Sequence, residues 1–380
     1  MTRTWDIFCS VVDNFGDIGV CWRLARQLSS ELAQPVRLWV DDLAAFHRIC
    51  HAVDPALAVQ RIDAIEVRHW GTAVPPVHPA DIVIEGFGVR LPDNYLAAMA
   101  ERAPPPVWIN LEHLSAEAWV EGCHGLPSPQ PSLPLVKHFF FPGFTAATGG
   151  LRIERGLEKM RGAFQSDADA VMRFWHALGM AHDDLAALRV SLFCYDNAAL
   201  PALVAAWAAG DEAVICLAPA GTALTQLSAI AGRRIEAGSP VVTGRLTIAA
   251  IPFLEADQYD RLLWACDVNF VRGEDSFVRA QLAARPLVWQ AYVQKEDAHL
   301  AKLAAFLDHY TSGLDGATAM IVRDIHGAWN RQSPDIAGPW RAFAIARGGA
   351  AAHARVRAGQ LADGGSLAIK LAEFCQDRLE

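Results

Sequence analysis

Short, mostly apolar runs recur along the chain, and between them lie segments whose apolar residues return every three or four positions. The first pattern is that of buried strands, the second that of helices with one buried face. Their alternation predicts parallel sheets joined by crossover helices. In the first half, strands are expected at Ile7–Val12, Val36–Val40, Ile65–His69, Ile82–Glu85, Val107–Leu111 and His138–Phe141. In the second half they are expected at Val190–Phe193, Ala213–Leu217, Leu246–Ile251, Val268–Val271 and Leu287–Gln290. A helix is expected to begin near Ile18, with Leu24, Leu28 and Leu32 on one face. Leu200–Ala209 and Phe277–Ala284 are helices between strands of the second half.

The series divides in two. Between Pro142 and about Ala170 stand Pro-Gly, Gly-Gly and a charged run of Arg152, Glu154, Arg155, Glu158, Lys159 and Arg161, as in a linker. The expected organisation is a Rossmann-like domain over residues 1–150, a linker over 151–170 and a second Rossmann-like domain over 171–355. Ser366–Leu379 is amphipathic and helical, and a helix over residues 360–380 is expected to pack back on the first domain. Two such α/β domains place a ligand in the crevice at the C-terminal ends of their strands. The uncharged stretch Ala213–Gly232 is long enough to raise the question of a membrane span. Pro219, Gly221, Thr222, Thr225, Gln226 and Ser228 interrupt it, so a buried strand, a turn and a helix fit better.

Composition narrows the picture. A chain of 380 residues exceeds what one compact core holds, and its 52% hydrophobic content supplies two. A net charge of −9 argues against general nucleic-acid binding, which needs a basic surface to displace phosphate counterions. The eight cysteines form no C-x-x-C pair, as expected of reduced, buried thiols in a cytoplasmic protein. The thirteen histidines show no H-E-x-x-H spacing, so no bound metal is expected. Asp6 and Asp13 interrupt the apolar run at the N-terminus, which argues against a secretory leader.

Three loops at strand ends carry candidate chemistry. The first is Asp13-Asn14-Phe15-Gly16-Asp17-Ile18-Gly19, between the first strand and the first helix. It lacks the G-x-G-x-x-G dinucleotide fingerprint. Its two carboxylates read either as a helix cap at Asp17 with an ordinary turn residue at Asp13, or as a pair that grips a cationic acceptor and removes its proton. The second is Arg272-Gly273-Glu274-Asp275-Ser276, which follows a strand and opens a helix. Backbone N–H groups and a serine hydroxyl there suit a diphosphate, and the carboxylates suit sugar hydroxyls. The alternative is an N-cap cluster in which Asp275 or Ser276 is the cap. The third is Phe193-Cys194-Tyr195-Asp196-Asn197, whose aromatics either stack on a base or pack the rim of the core. Phe253 and Gln258, after Leu246–Ile251, are open to the same two readings, and a glutamine amide can pair with a pyrimidine edge.

Taken together, these motifs resemble one family, the bacterial protein-arginine rhamnosyltransferases of the EarP type that modify translation elongation factor P. The resemblance spans nearly the whole chain. It rests on Val12 to Val20, Leu38-Trp39-Val40-Asp41-Asp42, Phe140-Phe141-Pro142-Gly143-Phe144, Ser191 to Tyr195, and Arg272 to Phe277. It implies a glycosyltransferase of GT-B architecture, with two facing Rossmann-like domains and a cleft between them. The implied donor is dTDP-β-L-rhamnose, held mainly by the second domain, and no metal or other cofactor is implied. The implied acceptor is an arginine of elongation factor P, held mainly by the first domain. By position, Asp17 resembles the general base, supported by Asp13 and Asn14, and Glu274 a second essential carboxylate. Phe15 and Gly16 fall in the same loop and are grouped with Asn14 on the donor side. Arg272, Gly273, Asp275 and Ser276 resemble the donor-contacting loop, and Phe193, Tyr195, Phe253 and Gln258 the thymidine-binding residues. Two rivals stand beside this reading: a GT-B transferase with a small-molecule acceptor, and a non-catalytic nucleotide-binding regulator of translation. The residues alone do not exclude the first, because a fold does not dictate its acceptor, whereas the presence of both Asp17 and Glu274 argues against the second, since a pure binder has no need for a base.

Overall fold

The structure is a computed structural model that describes residues 2–12, 15–180 and 187–379. The chain forms two compact units, one of Met1–Arg155 with Leu361–Glu380 and the other of Gly156–Gln360.

In the first unit the elements run β1 (Trp5–Cys9), α1 (Gly16–Ser30), β2 (Val36–Val40), α2 (Leu43–Ile49), β3 (Val59–Ile62), β4 (Ile65–His69) and β5 (Ile82–Gly86). They continue as α3 (Asp93–Ala100), β6 (Val107–Leu111), α4 (Trp119–Cys123), β7 (Pro127–Pro129) and β8 (Val136–Phe140). The strands form one sheet in the order β3-β4-β2-β1-β5-β6-β8-β7. Its interior pairs are parallel, while the edge pairs β3–β4 and β7–β8 are antiparallel. All five residues of β1 are buried, including the charged Asp6. Asp6 is tolerated there because Arg37 forks onto both its oxygens at 2.6 Å, and Trp39 Nε1, the Ala80 amide and the Tyr95 hydroxyl also donate to it.

The first strand is shorter than Ile7–Val12. Val11 N–H donates to Asp41 Oδ1 at 2.9 Å and the Ser10 hydroxyl bonds the other oxygen, so a side chain at the end of β2 takes over from the ladder. The chain leaves the sheet at Cys9, and α1 opens at Gly16, two residues before Ile18. The short strands β3 and β7 were not among those expected, since each is an edge strand with little apolar alternation.

In the second unit, α5 (Leu157–Ser166) and α6 (Ala168–Ala177) precede β9 (Leu188–Leu192), α7 (Leu200–Ala208), β10 (Val214–Pro219) and α8 (Thr222–Ile230). Then come β11 (Val241–Thr243), β12 (Leu246–Ile251), α9 (Ala256–Ala265), β13 (Val268–Arg272), α10 (Asp275–Leu282) and β14 (Leu287–Gln290). Helices α11 (Ala298–Tyr310), α12 (Gly316–Asn330) and α13 (Ala337–Asp363) follow, and α14 (Leu367–Gln376) closes the chain. The sheet order is β11-β12-β10-β9-β13-β14, parallel except for β11. The stretch Ala213–Gly232 is a strand, a turn and a helix, as its polar interruptions require.

Most of the expected 151–170 linker is helical, in α5 and the start of α6. Leu157, Arg161 and Phe164 recur at helical spacing in α5. Phe164 meets Phe174 and Trp264 at 5.9 and 5.8 Å, and Arg161 Nη1 donates to Leu282 O at 2.6 Å. Of the charged run that suggested a linker, Glu158 and Lys159 occupy the outer face of this amphipathic helix, Arg161 is turned inward, and Arg152, Glu154 and Arg155 precede it. Helix α14 belongs to the first unit. Its Leu367, Ala368, Leu371 and Cys375 are buried in the same core as Ile18, Cys21 and Leu28 of α1. Each leucine buried there contributes about 1.5–3 kcal/mol.

Both sheets contain a switch point. In the first, β1 lies between β2 and β5, and in the second, β9 lies between β10 and β13. Crossovers leave such a central strand to opposite sides, so the loops at its C-terminal end diverge and open a crevice.

Candidate active site

The first switch point carries the loop after β1. Asp17 is the second residue of α1 and is buried. Its Oδ2 accepts the Val12 N–H at 2.9 Å, so the carboxylate folds back onto the loop that precedes the helix. Phe15 holds the N-cap position, and Asp17 lies inside the helix, where its negative charge also favours the N-terminal dipole. Cys9 ends β1 nearby. A hydrogen bond with Cys21 and burial hold its thiol well above the ordinary range, and the charges of Asp17 and Asp41 add to that shift. Asp13 and Asn14 lie outside the described residues.

The second switch point gathers residues distant in sequence. Phe193 and Tyr195 follow β9, and Arg272 ends the neighbouring β13. The Arg272 guanidinium carbon lies 4.6 Å from the centre of the Phe193 ring and 4.7 Å from that of Tyr195. Arg272 is buried, and its Nη1 is 3.5 Å from the Tyr195 hydroxyl. A guanidinium over aromatic faces is attracted by the ring quadrupoles, more strongly as water is excluded. Cys194, between the two aromatics, is pushed up to about 12 by burial, which leaves no thiolate at this strand end.

The loop from Arg272 to Ser276 is closed on itself. The Ser276 hydroxyl donates to the Arg272 carbonyl, and the Arg272 N–H donates to the Ser276 hydroxyl oxygen at 3.3 Å. Gly273 takes φ +64°, in the left-handed region that suits glycine, and its carbonyl accepts Trp289 Nε1 at 2.9 Å. Glu274, not Asp275 or Ser276, occupies the N-cap of α10, and its side chain makes no cap hydrogen bond. The cap readings of Asp275 and Ser276 therefore give way to a loop held by Ser276 from within. Arg279 of α10 forks onto buried Asp260 of α9 at 2.9 and 2.5 Å and holds the helix that follows the loop.

Phe253 stands on the connection from β12 into α9, and Gln258 is in the first turn of α9. In the sheet, β12 is separated from β9 by β10. The link to the ring pair is Tyr259, next to Gln258, whose ring meets the edge of Phe193 at 5.9 Å. A cavity of about 660 Å³ opens at the ends of β10 and β12, lined by Gly221, Thr225, Ile251 and Pro252, the residue before Phe253. Three further residues complete the region and were not singled out from the sequence. Buried Gln290, at the end of β14, accepts the Tyr195 N–H at 2.9 Å, Tyr292 meets the Tyr195 ring at 5.4 Å, and Tyr259 bridges to Phe193. The rule that ligands gather at C-terminal strand ends points to Gln290.

Among the described residues, no group of three or more His, Cys, Asp or Glu is placed to hold a metal ion. No helix among them is long and apolar enough to cross a membrane.

Two α/β units, each with its candidate residues at a switch point, define a glycosyltransferase of GT-B fold. The model of one family, described as elongation factor P (EF-P) rhamnosyltransferase EarP, matches residues 5–376. The chain belongs to that family, so the resemblance is borne out. It is 48% identical to a protein-arginine rhamnosyltransferase of Pseudomonas putida, with 100% of both chains covered. It is also 48% identical to the Pseudomonas aeruginosa protein of the same name, over 89% of each chain. A solved structure described as the structural basis for EarP-mediated arginine glycosylation of translation elongation factor EF-P is 34% identical. It aligns with a TM-score of 0.71 over 99% of both chains.

Proposed function

We propose that this enzyme moves L-rhamnose from dTDP-β-L-rhamnose to one arginine side chain of translation elongation factor P, with inversion at the anomeric carbon. The observation that carries the reading is Arg272, buried at the second switch point over the faces of Phe193 and Tyr195. A fixed cation beside aromatic faces suits a nucleoside diphosphate, which needs both charge neutralisation and a stacking surface. Arg272, Gly273, Asp275 and Ser276 hold the diphosphate, Phe193, Tyr195, Phe253 and Gln258 the thymidine, and Glu274 the sugar hydroxyls. Asn14, Phe15 and Gly16 contact the donor.

Asp17, with Asp13, acts on the acceptor. A guanidinium has a pKa above ~12, so no carboxylate deprotonates it beforehand. Asp17 instead grips the cation as a charged pair and aims one nitrogen at the anomeric carbon. As the C–N bond forms, the C–O bond to dTDP breaks and the diphosphate leaves with its electron pair. The attacking nitrogen becomes acidic and its proton passes to Asp17. Backbone N–H groups near Asp275 and Ser276 stabilise the departing charge. This displacement requires no metal and no other cofactor. The reaction belongs to the cytoplasm, where the factor meets the ribosome.

The test is to incubate the protein with dTDP-rhamnose and elongation factor P and weigh the factor intact. A gain of one deoxyhexose, mapped to an arginine, supports the reading. An unmodified factor with rhamnose transferred to a small molecule would replace it with the rival acceptor class.

A further inference from the structure

The first unit presents a second aromatic feature that none of the roles above uses. Phe87 follows β5, the strand across the first switch point from β1. It takes φ +59°, in the left-handed region, where a bulky residue is a true outlier. Two hydrogen bonds to the neighbouring strand hold its turn. Its N–H donates to Leu111 O at 2.7 Å, and the N–H of Gly88 donates to Asn110 Oδ1 at 2.9 Å. Asn110 is itself buried, and its Nδ2 donates to Glu112 Oε1 at 2.6 Å. The result is a Phe87 ring stacked on the exposed His113 ring, with centres 4.4 Å apart and planes 15° apart.

The position of this pair ties it to the loop of Asp17. Phe87 packs against the core cluster that contains Ile18 and Cys21 of α1, as does Val11 of the loop. A Cβ at Gly86 would come within 3.0 Å of Cys21 Sγ, so the end of β5 lies directly against α1. Strain of this kind persists only where the surroundings over-determine it, and it gathers at binding and catalytic sites.

We infer that the Phe87–His113 stack is the platform on which the acceptor arginine lies before transfer, with Glu112 adding negative charge at the same strand end. A guanidinium and its methylene stem match a planar aromatic surface in shape and polarity, and the plane sets the direction in which the reacting nitrogen points. The inference rests on the arginine acceptor proposed above. It makes Phe87 and His113 positioning residues that govern acceptor affinity and leave the donor untouched.

The test is steady-state transfer to elongation factor P by the full-length enzyme, with H113A, H113F and F87A beside the wild type. The wild type must modify the factor, and its failure to do so would overturn the acceptor reading and this inference together. Given a working wild type, H113A should raise KM for the factor roughly three- to tenfold with kcat changed less. H113F keeps a ring and should restore KM. F87A should raise KM at least as much as H113A. Calorimetric dTDP affinity should stay the same in all three. Because His113 is exposed, its variants should keep the wild-type Tm. An unchanged KM in H113A, or a KM in H113F as poor as in H113A, would overturn the platform.

Discussion

The guanidinium carbon of Arg272 lies 4.6 Å from the centre of the Phe193 ring, although the two residues are far apart in sequence. Strands β9 and β13 pair in parallel, and the Phe193 N–H donates to Phe270 O at 3.0 Å just beyond their ladder. The pairing therefore makes the cation and the aromatic a single unit.

This contact predicts the behaviour of Arg272 variants. R272A should weaken dTDP binding about tenfold or more, because charge-assisted hydrogen bonds are worth ~1.5–3 kcal/mol. R272K keeps the charge but loses the planar fork and should fall between. Titration with dTDP and with thymidine separates the causes. A loss confined to dTDP assigns Arg272 to the phosphates, whereas equal losses would mean that it acts only by holding the rings.

The two aromatics make a companion case. F193A and Y195A should each weaken dTDP and dTDP-rhamnose alike, since the thymine is common to both, by roughly 1–3 kcal/mol. Calorimetry that finds dTDP affinity unchanged in both would return these rings to packing the rim.

For Asp17, the informative change is D17N. Asparagine still offers an oxygen to the Val12 N–H, so the loop anchor seen at 2.9 Å survives while charge and basicity are lost. Transfer should fall ~100- to 10,000-fold or more, with dTDP affinity nearly intact. Turnover close to wild type would remove Asp17 from the chemistry.

Glu274 separates function from stability. It holds the N-cap position of α10 without capping it through its side chain. If Glu274 engages the sugar hydroxyls, E274A should slow transfer a hundredfold or more while lowering stability by no more than the ~1 kcal/mol of a lost cap. A lower Tm with a normal rate per folded molecule would assign Glu274 to structure.

Stability should also fall in acid through His326. This residue is fully buried on α12, its Nδ1 is 2.8 Å from Val322 O, and the Phe306 and Tyr310 rings lie 6.1 and 6.4 Å away. Burial lowers its pKa from 6.5 to about 4. The unfolded chain then binds the proton first, so the contribution is complete above pH 6.5 and is lost as the pH falls from 6.5 toward 4. The full loss is on the order of 3 kcal/mol. H326L has no such titration. Its Tm relative to wild type should rise across that window, and parallel Tm curves would exclude His326 as a source.

The sequence by itself determined the two α/β units and most of their interior strands. Strands buried between parallel neighbours are nearly continuous apolar runs, so Val36–Val40 and Val107–Leu111 are legible locally. It also located the candidate loops, because a short polar, glycine-bearing turn between such a run and a helix has few other places to be. The tertiary structure decided what those loops do to one another. Arg272 meets Phe193 and Tyr195 only because β13 lies beside β9, and no residue near Arg272 encodes that neighbour. Phe87 enters the left-handed region only because Leu111 and Asn110 of the next strand hold its loop. Helix α5 was taken for a linker because its charged residues dominate the local pattern, while the partners of its apolar face, such as Trp264, lie about a hundred residues on. In each case the deciding contact is long-range. Local pattern shows that a side chain can be buried or bonded, whereas strand order and helix packing select its partner.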